Sequence, residues 1–333
     1  MKKRILNIFL MAAFIAMHSN VLGQDIEFSG FVDVQYAKSQ SISEEYDQFQ
    51  YGQFELDVSA PVNRWMTAEG AIALNPHEEK FEPGAGFFDI NLLANRSPSQ
   101  FSGKKPFLHT AGLWIGQFDV PFGIDYEVIP SVNRSLVHSP LINEQTIDCW
   151  NSVGMTFHAS GSMWNIKMFG VNGFGDAVSL GGRVGLKLDR ETEVGFSYSK
   201  DVFTESTNPH EIFGADIEWR NQQFTGKGEA IYTSGLYQGA CPGETNMDAH
   251  YGFYFQGKYD VLAFRNHPFF LVGRIGSWIP ENDFDIDGQK IEQVNRLTAG
   301  IGMPIGYNSE VRAEYLTDGQ ETSVVTMQLV VGF

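Results

Sequence analysis

Four carboxylates, Asp125, Glu127, Glu144 and Asp148, and one guanidinium, Arg134, share a proline-punctuated stretch from Val120 to Trp150. In neighbouring segments, side-chain alternation gives Arg183, Lys187, Arg274, Arg296 and Arg312 a common inward parity. Carboxylates on one side of a wet constriction and cations on the other set up a transverse field, which admits polar ions and zwitterions and disfavours apolar solutes. That is steering chemistry, in which no bond is made or broken. Taken singly, each charge would serve equally well to keep a wide interior wet.

Other constellations carry less. Asp283, Asp285 and Asp287 stand two apart before Gly288, the opening of an EF-hand type of calcium loop. The twelfth position, which needs a bidentate acid, is Val294, and Glu292 stands two places early. A solvated acidic loop is therefore favoured over a structural calcium site, and no other cofactor is expected. Cys149 and Cys241 are the only cysteines, so an oxidising compartment allows one disulfide between them without requiring it. The histidines lie singly, with no G-x-S-x-G elbow and no H-E-x-x-H pair, and no enzyme is expected.

The elements that must hold these residues are legible from the chain's start. Lys2, Lys3 and Arg4 precede an apolar run from Ile5 to Met17, and Val21-Leu22-Gly23 ends in a small residue, which reads as a signal peptide over residues 1–23. Nowhere do some 18 consecutive apolar residues occur, which excludes helical spans. A net charge of −17 argues against nucleic acid as a partner. The remainder, residues 24–333, resolves into segments of about ten residues with one apolar and one polar parity. Val325, Met327, Leu329, Val331 and Phe333 alternate with Thr326 and Gln328 in the last; Phe28, Val32 and Val34 alternate with Glu27, Ser29, Asp33 and Gln35 in the first.

Short and long connections alternate along the chain. Short ones fall near 60–64, 159–162, 188–191, 220–222 and 304–309, and long ones near 37–47, 75–86, 120–150, 200–210, 234–248 and 279–291. Links at 95–106 and 260–268 are expected to be longer than usual for the periplasmic end. This predicts an all-β fold, a transmembrane antiparallel β-barrel of about 16 strands. Trp65, Trp164 and Trp219 fall beside predicted periplasmic turns, and Trp150 and Trp278 at predicted outer strand ends, which is the placement of an aromatic girdle. So wide a barrel cannot be filled by its wall side chains, so the Val120–Trp150 loop is expected to fold into the lumen.

The octet Gly116-Gln117-Phe118-Asp119-Val120-Pro121-Phe122-Gly123, with Arg134 and Pro140 downstream and a chain ending on Phe333, resembles the phosphate-selective porin O and P family. The resemblance implies a general porin fold with its third long loop in the lumen, and a terminal strand read by the barrel-assembly machinery. It does not carry phosphate selectivity here, because the loop sets Asp125, Glu127, Glu144 and Asp148 beside Arg134 and His138. The expectation is passive diffusion of small hydrophilic solutes and ions across a Gram-negative outer membrane, with weak cation preference or little selectivity, outer-membrane lipid as the surroundings and a homotrimer as one assembly. The alternative is a non-conducting barrel used in secretion, adhesion or envelope assembly.

Overall fold

Residues with strict alternation become strands because hydrocarbon cannot hydrogen-bond to backbone, so every N–H must find a neighbouring strand. A computed structural model describes residues 26–40, 46–75, 80–94, 107–128, 130–147, 150–173, 177–203, 209–234, 249–264, 267–282, 290, 292–319 and 322–333. The first eight strands are β1 (Glu27–Gln40), β2 (Tyr46–Asn63), β3 (Met66–Asn75), β4 (Lys80–Asn91), β5 (Thr110–Asp119), β6 (Asn151–Ser160), β7 (Trp164–Asn172) and β8 (Val178–Lys187). The second eight are β9 (Thr192–Val202), β10 (Glu211–Arg220), β11 (Phe224–Ser234), β12 (His250–Phe264), β13 (His267–Pro280), β14 (Val294–Gly306), β15 (Ser309–Thr317) and β16 (Ser323–Gly332). Each pairs antiparallel with its sequence neighbours, and β1 pairs with β16 to close a 16-strand barrel. Among the described residues no helix is long and apolar enough to cross a membrane.

The closing seam uses both terminal strands fully. Val34 lies opposite Leu329 and Gln35 opposite Gln328. Below the ladder, Gly30 N–H donates to Phe333 O at 3.1 Å and Phe333 N–H returns to Gly30 O at 2.9 Å. The apolar parity faces outward as expected: Val325, Met327 and Leu329 are exposed, whereas Thr326 and Gln328 are buried. At the short-turn end, Asp189 accepts from Glu191 N–H and Thr192 N–H, both at 2.7 Å, and these donors hold its carboxyl below the usual range. The turn between β8 and β9 is thereby fixed.

Several expected boundaries move. The link between β12 and β13 is only residues 265–266, because pairing continues to Phe264 opposite His267, so the expected long link at 260–268 is corrected. The outer link expected over 75–86 is largely strand: β4 starts at Lys80, and Pro83 is accommodated where the β3–β4 register shifts. Two further links, 173–177 and 318–322, complete the alternation. Residues 1–25, 95–106, Asp148, Cys149, Cys241, Asp283, Asp285 and Asp287 lie outside the described residues, and with them the signal peptide, the disulfide and the calcium loop.

The girdle also needs correction. Trp65 and Trp219 are exposed on the outer surface at the short-turn end, but Trp150 and Trp278 are only 5% and 4% exposed and pack inside the barrel. Trp278 has the inward parity of Arg274, four residues away, so its position near a strand end is a poor guide. At the other end the exposed aromatics include Tyr198, Phe213, Tyr232 and Tyr251, which register directly opposite one another across β9, β10, β11 and β12. The three tyrosines, with apolar bodies and wet tips, fill the interfacial role there, and Phe213 packs among them.

Because Met327 sits mid-strand on the lipid face, Met327→Arg is expected to destabilise the bilayer-reconstituted barrel by about 2–4 kcal/mol. Met327→Leu should change it by less than about 1.5 kcal/mol. Urea unfolding in vesicles measures both, and equal stability of the two variants would show that this face does not meet hydrocarbon.

Candidate functional site: the lumen and its inserted loop

The loop after β5 turns inward because its first residues find apolar and polar partners on the far wall. Val120 N–H donates to Trp150 O at 2.9 Å, closing the loop's neck. Phe122 is fully buried against Gly214 of β10, where an added Cβ would stand 2.9 Å from the ring. Gly123 has φ +69°, donates its N–H to Ser197 Oγ at 3.0 Å, and leaves no room for a side chain, since a Cβ would lie 1.9 Å from Glu229 Oε1. The end of the octet is therefore a tight inward turn. Beyond it come a 3-10 turn at Asp125–Val128, a second at Ser131–Asn133, and one helical turn, α1 (Leu141–Glu144), started after Pro140.

The loop carries its own apolar core into the lumen. Phe122, Leu141, Ile142, Ile147 and Trp150 cluster with Phe169, Ile212, Ile231, Tyr254 and Trp278 of the inner wall. Each fully buried side chain of this size contributes roughly 1.5–3 kcal/mol, so the loop is a packed part of the fold.

Polar staples complete the attachment around the circumference. Asp125 accepts from Tyr254 Oη at 2.6 Å and Asn143 Nδ2 at 3.1 Å, and pairs with Lys227. Glu229 accepts from Ile124 N–H and Asn143 Nδ2, both at 3.2 Å. Arg274 donates to the carbonyls of His138 and Ser139, both at 2.8 Å. Glu314 accepts from Val137 N–H at 2.6 Å and meets His138 Nδ1 at 2.5 Å. Arg312 donates to Ser131 O at 2.7 Å, while Arg296 joins Glu144 of the loop to Asp318. On the opposite side, Ser131 N–H donates to Gln53 Oε1 of β2 at 2.7 Å.

The residues expected at the constriction are thus placed as follows. Asp125 is buried and neutralised locally, Glu144 is ion-paired, and Arg134 reaches Val137 O at 3.3 Å while lining the space on both sides of the loop. Glu127 lies in the first 3-10 turn, and its side chain is outside the described residues. Of the wall cations, Arg274, Arg296 and Arg312 are in direct contact with the loop rather than across open water from it. Arg183 instead binds Asp216 at 2.6 and 3.0 Å and Glu193 at 3.3 Å. Lys187 is exposed at the short-turn end, in register with Glu193. The residues that hold the loop, Glu229, Glu314 and Tyr254, share the inward parity but lie far from it in sequence, and parity was the one signal that could have marked them.

Three kinds of space remain. A cavity of about 260 Å³ between the loop and β10–β13 is lined by Asp125, Arg134, His138, Lys227, Lys258 and Arg274. A larger one, about 540 Å³, lies between the second 3-10 turn and β1, β2 and β16. Along β2–β4 the inward parity carries Glu55, Asp57, Glu69 and Asp89; Glu69 accepts from Ser59 Oγ at 3.0 Å, and Asp89 faces His158 Nε2 at 3.4 Å. Beside them Lys167 stands over the rings of Tyr126 at 4.3 Å and Trp114 at 5.5 Å.

No family model matches the sequence, and no curated protein matches it either. Solved structures do match in fold. The anion-selective porin from Comamonas acidovorans superposes with a TM-score of 0.65 at 8% identity, over 93% of this chain and 100% of that chain. The outer membrane channel DcaP of Acinetobacter baumannii gives 0.61 at 10% identity, over 93% and 97%. OmpT, an outer membrane protein of Vibrio cholerae, in its trimer form, gives 0.63 at 10% identity, over 93% and 99%. At such identities the likeness concerns architecture alone, and the architecture is that of outer-membrane porins.

Removing one staple tests how the loop is held. Arg274→Met loses two hydrogen bonds from a charged donor, each worth about 1.5–3 kcal/mol, so local opening of the loop should rise at least about tenfold. Trypsin cleavage after Arg134 in the refolded barrel reads this opening, with gel mobility of the unheated protein reporting that the barrel itself is intact. Identical cleavage rates in the two proteins would remove Arg274 from the loop's anchorage.

Proposed function

We propose that this chain is a channel of a Gram-negative-type outer membrane, through which small hydrophilic solutes and ions diffuse passively with weak cation preference. The observation that carries the reading is a segregated lumen. The wall cations Arg274, Arg296 and Arg312 are committed to the loop, while the carboxylates Glu55, Asp57, Glu69 and Asp89 of β2–β4 accept no hydrogen bond from the loop among the described residues. A permeant ion would therefore meet carboxylates more than guanidiniums.

In this reading residues 1–23 direct export, the barrel-assembly machinery inserts the chain through its terminal strand, lipid surrounds it, and three copies associate. No catalysis and no cofactor are invoked. The octet that resembles phosphate-selective porins ends in the loop's inward turn, but Arg274, Arg296 and Arg312 are tied into the loop, so phosphate is not the proposed solute. A non-conducting barrel for secretion, adhesion or envelope assembly is the competing reading. What favours it is the extent of the loop's attachment, from Gln53 on β2 to Glu314 on β15.

Detergent-refolded protein in planar bilayers under a potassium chloride gradient distinguishes them. Cation-preferring conductance is expected, with Glu55→Lys combined with Asp57→Lys shifting the cation-to-anion permeability ratio about fivefold toward anions, the scale of one ion-to-charge contact in water. Correctly folded protein without conductance would establish the competing reading, and an unchanged reversal potential would remove the β2 carboxylates from the ion path.

A further inference from the structure

The cavity beside the second 3-10 turn differs chemically from the rest of the lumen. Gln50 of β2, Gln35 of β1 and Gln328 of β16 register in one row across the barrel's closing seam. With Gln53, Asp33 and Ser131 they line its volume of about 540 Å³, within the ~300–1,000 Å³ of small-molecule sites. A primary amide presents donors and acceptors together, so four of them match hydroxyl groups, which also do both. Charge is balanced: Asp33 and Arg134 contribute one each. Asp33 is already engaged, accepting from Gln35 Nε2 and Gln53 N–H, both at 3.0 Å.

The backbone is shaped for this arrangement. The β1–β2 register shifts between Val32 and Val34, and the strand passes there as Gly52, where an added Cβ would lie 1.8 Å from Asp33 Oδ1 and 2.3 Å from Gln35 Nε2. Any other residue would push the acid and the amide out of place.

Two polar atoms point to an occupant. Gln328 is 2% exposed; its Oε1 accepts from Arg312 at 3.3 Å, but its Nε2 has no hydrogen-bond partner among the described residues. Ser131, also 2% exposed, uses its backbone N–H and carbonyl on Gln53 and Arg312, while its Oγ has no such partner. Buried donors and acceptors are normally satisfied, and both of these belong to side chains that line one cavity. We propose that this amide-lined cavity is a subsite for a neutral polyhydroxylated solute of mono- to disaccharide size. It presupposes a lumen that solutes enter, and so rests on the channel reading.

Sucrose serves as the probe, with two independent measurements on full-length refolded protein: equilibrium dialysis of labelled sucrose against the detergent-solubilised barrel, and sucrose-dependent reduction of single-channel current. One saturable site of about millimolar Kd is expected in both. Gln50→Leu, at an exposed side chain that does not endanger folding, should weaken it about fivefold, the worth of one hydrogen bond, and Gln328→Leu at least as much. Conductance without saturable sucrose binding would overturn the subsite and leave the channel standing. Saturable binding without conductance would support the subsite and overturn the channel. Binding that neither substitution weakens would place the sugar elsewhere and end the proposal.

Discussion

Hydrocarbon offers no hydrogen bonds, and from that single constraint the architecture follows. A sheet in lipid must pair every backbone group, so it must close. Once it closes with 16 strands, one parity of each strand belongs to lipid and the other encloses a space too wide for side chains to fill. The Val120–Trp150 loop resolves that excess of space by bringing in a hydrophobic core of its own, centred on Phe122, Ile142 and Trp150. An interior that would otherwise be only water and charge is thus divided into compartments of different chemistry.

Charge is distributed by the same logic. Cations are scarce in this chain, 23 Lys and Arg against 40 Asp and Glu, and several are used structurally. Arg183 neutralises Asp216 and Glu193, Arg274 and Arg312 bind loop carbonyls, and Arg296 bridges Glu144 and Asp318. A guanidinium suits this work because its planar fork satisfies two acceptors at once. Carboxylates are left over on β2–β4, and the polarity of the remaining passage comes from what the loop has not consumed.

Much of this was readable beforehand. Parity marked the lipid-facing residues, such as Val325, Met327 and Leu329, and the spacing of connections led to the strand number. The length and proline content of Val120–Trp150 singled out the inserted segment. What escaped were relations across the barrel. Parity says that Arg274 and Glu314 point inward, but it cannot say that they grip the two sides of His138, 136 and 176 residues away. Trp278 was misread for a related reason: nearness to a strand end suggested an interface, whereas its parity, the stronger physical criterion, put it inside. Link lengths were misjudged as well, since strand pairing continues through much of 75–86, past Pro83, and of 260–268.

The seam between β1 and β16 has a kinetic implication. Every other strand pair joins neighbours in sequence, but Gly30 and Phe333 meet only after nearly the entire polypeptide has been arranged. Until then two unpaired edges face a solvent that punishes them, and loop-closure entropy must be overcome before the last ladder repays it. Insertion should therefore end in an abrupt, all-or-none locking step, with the half-built sheet vulnerable to mispairing with another copy up to that moment.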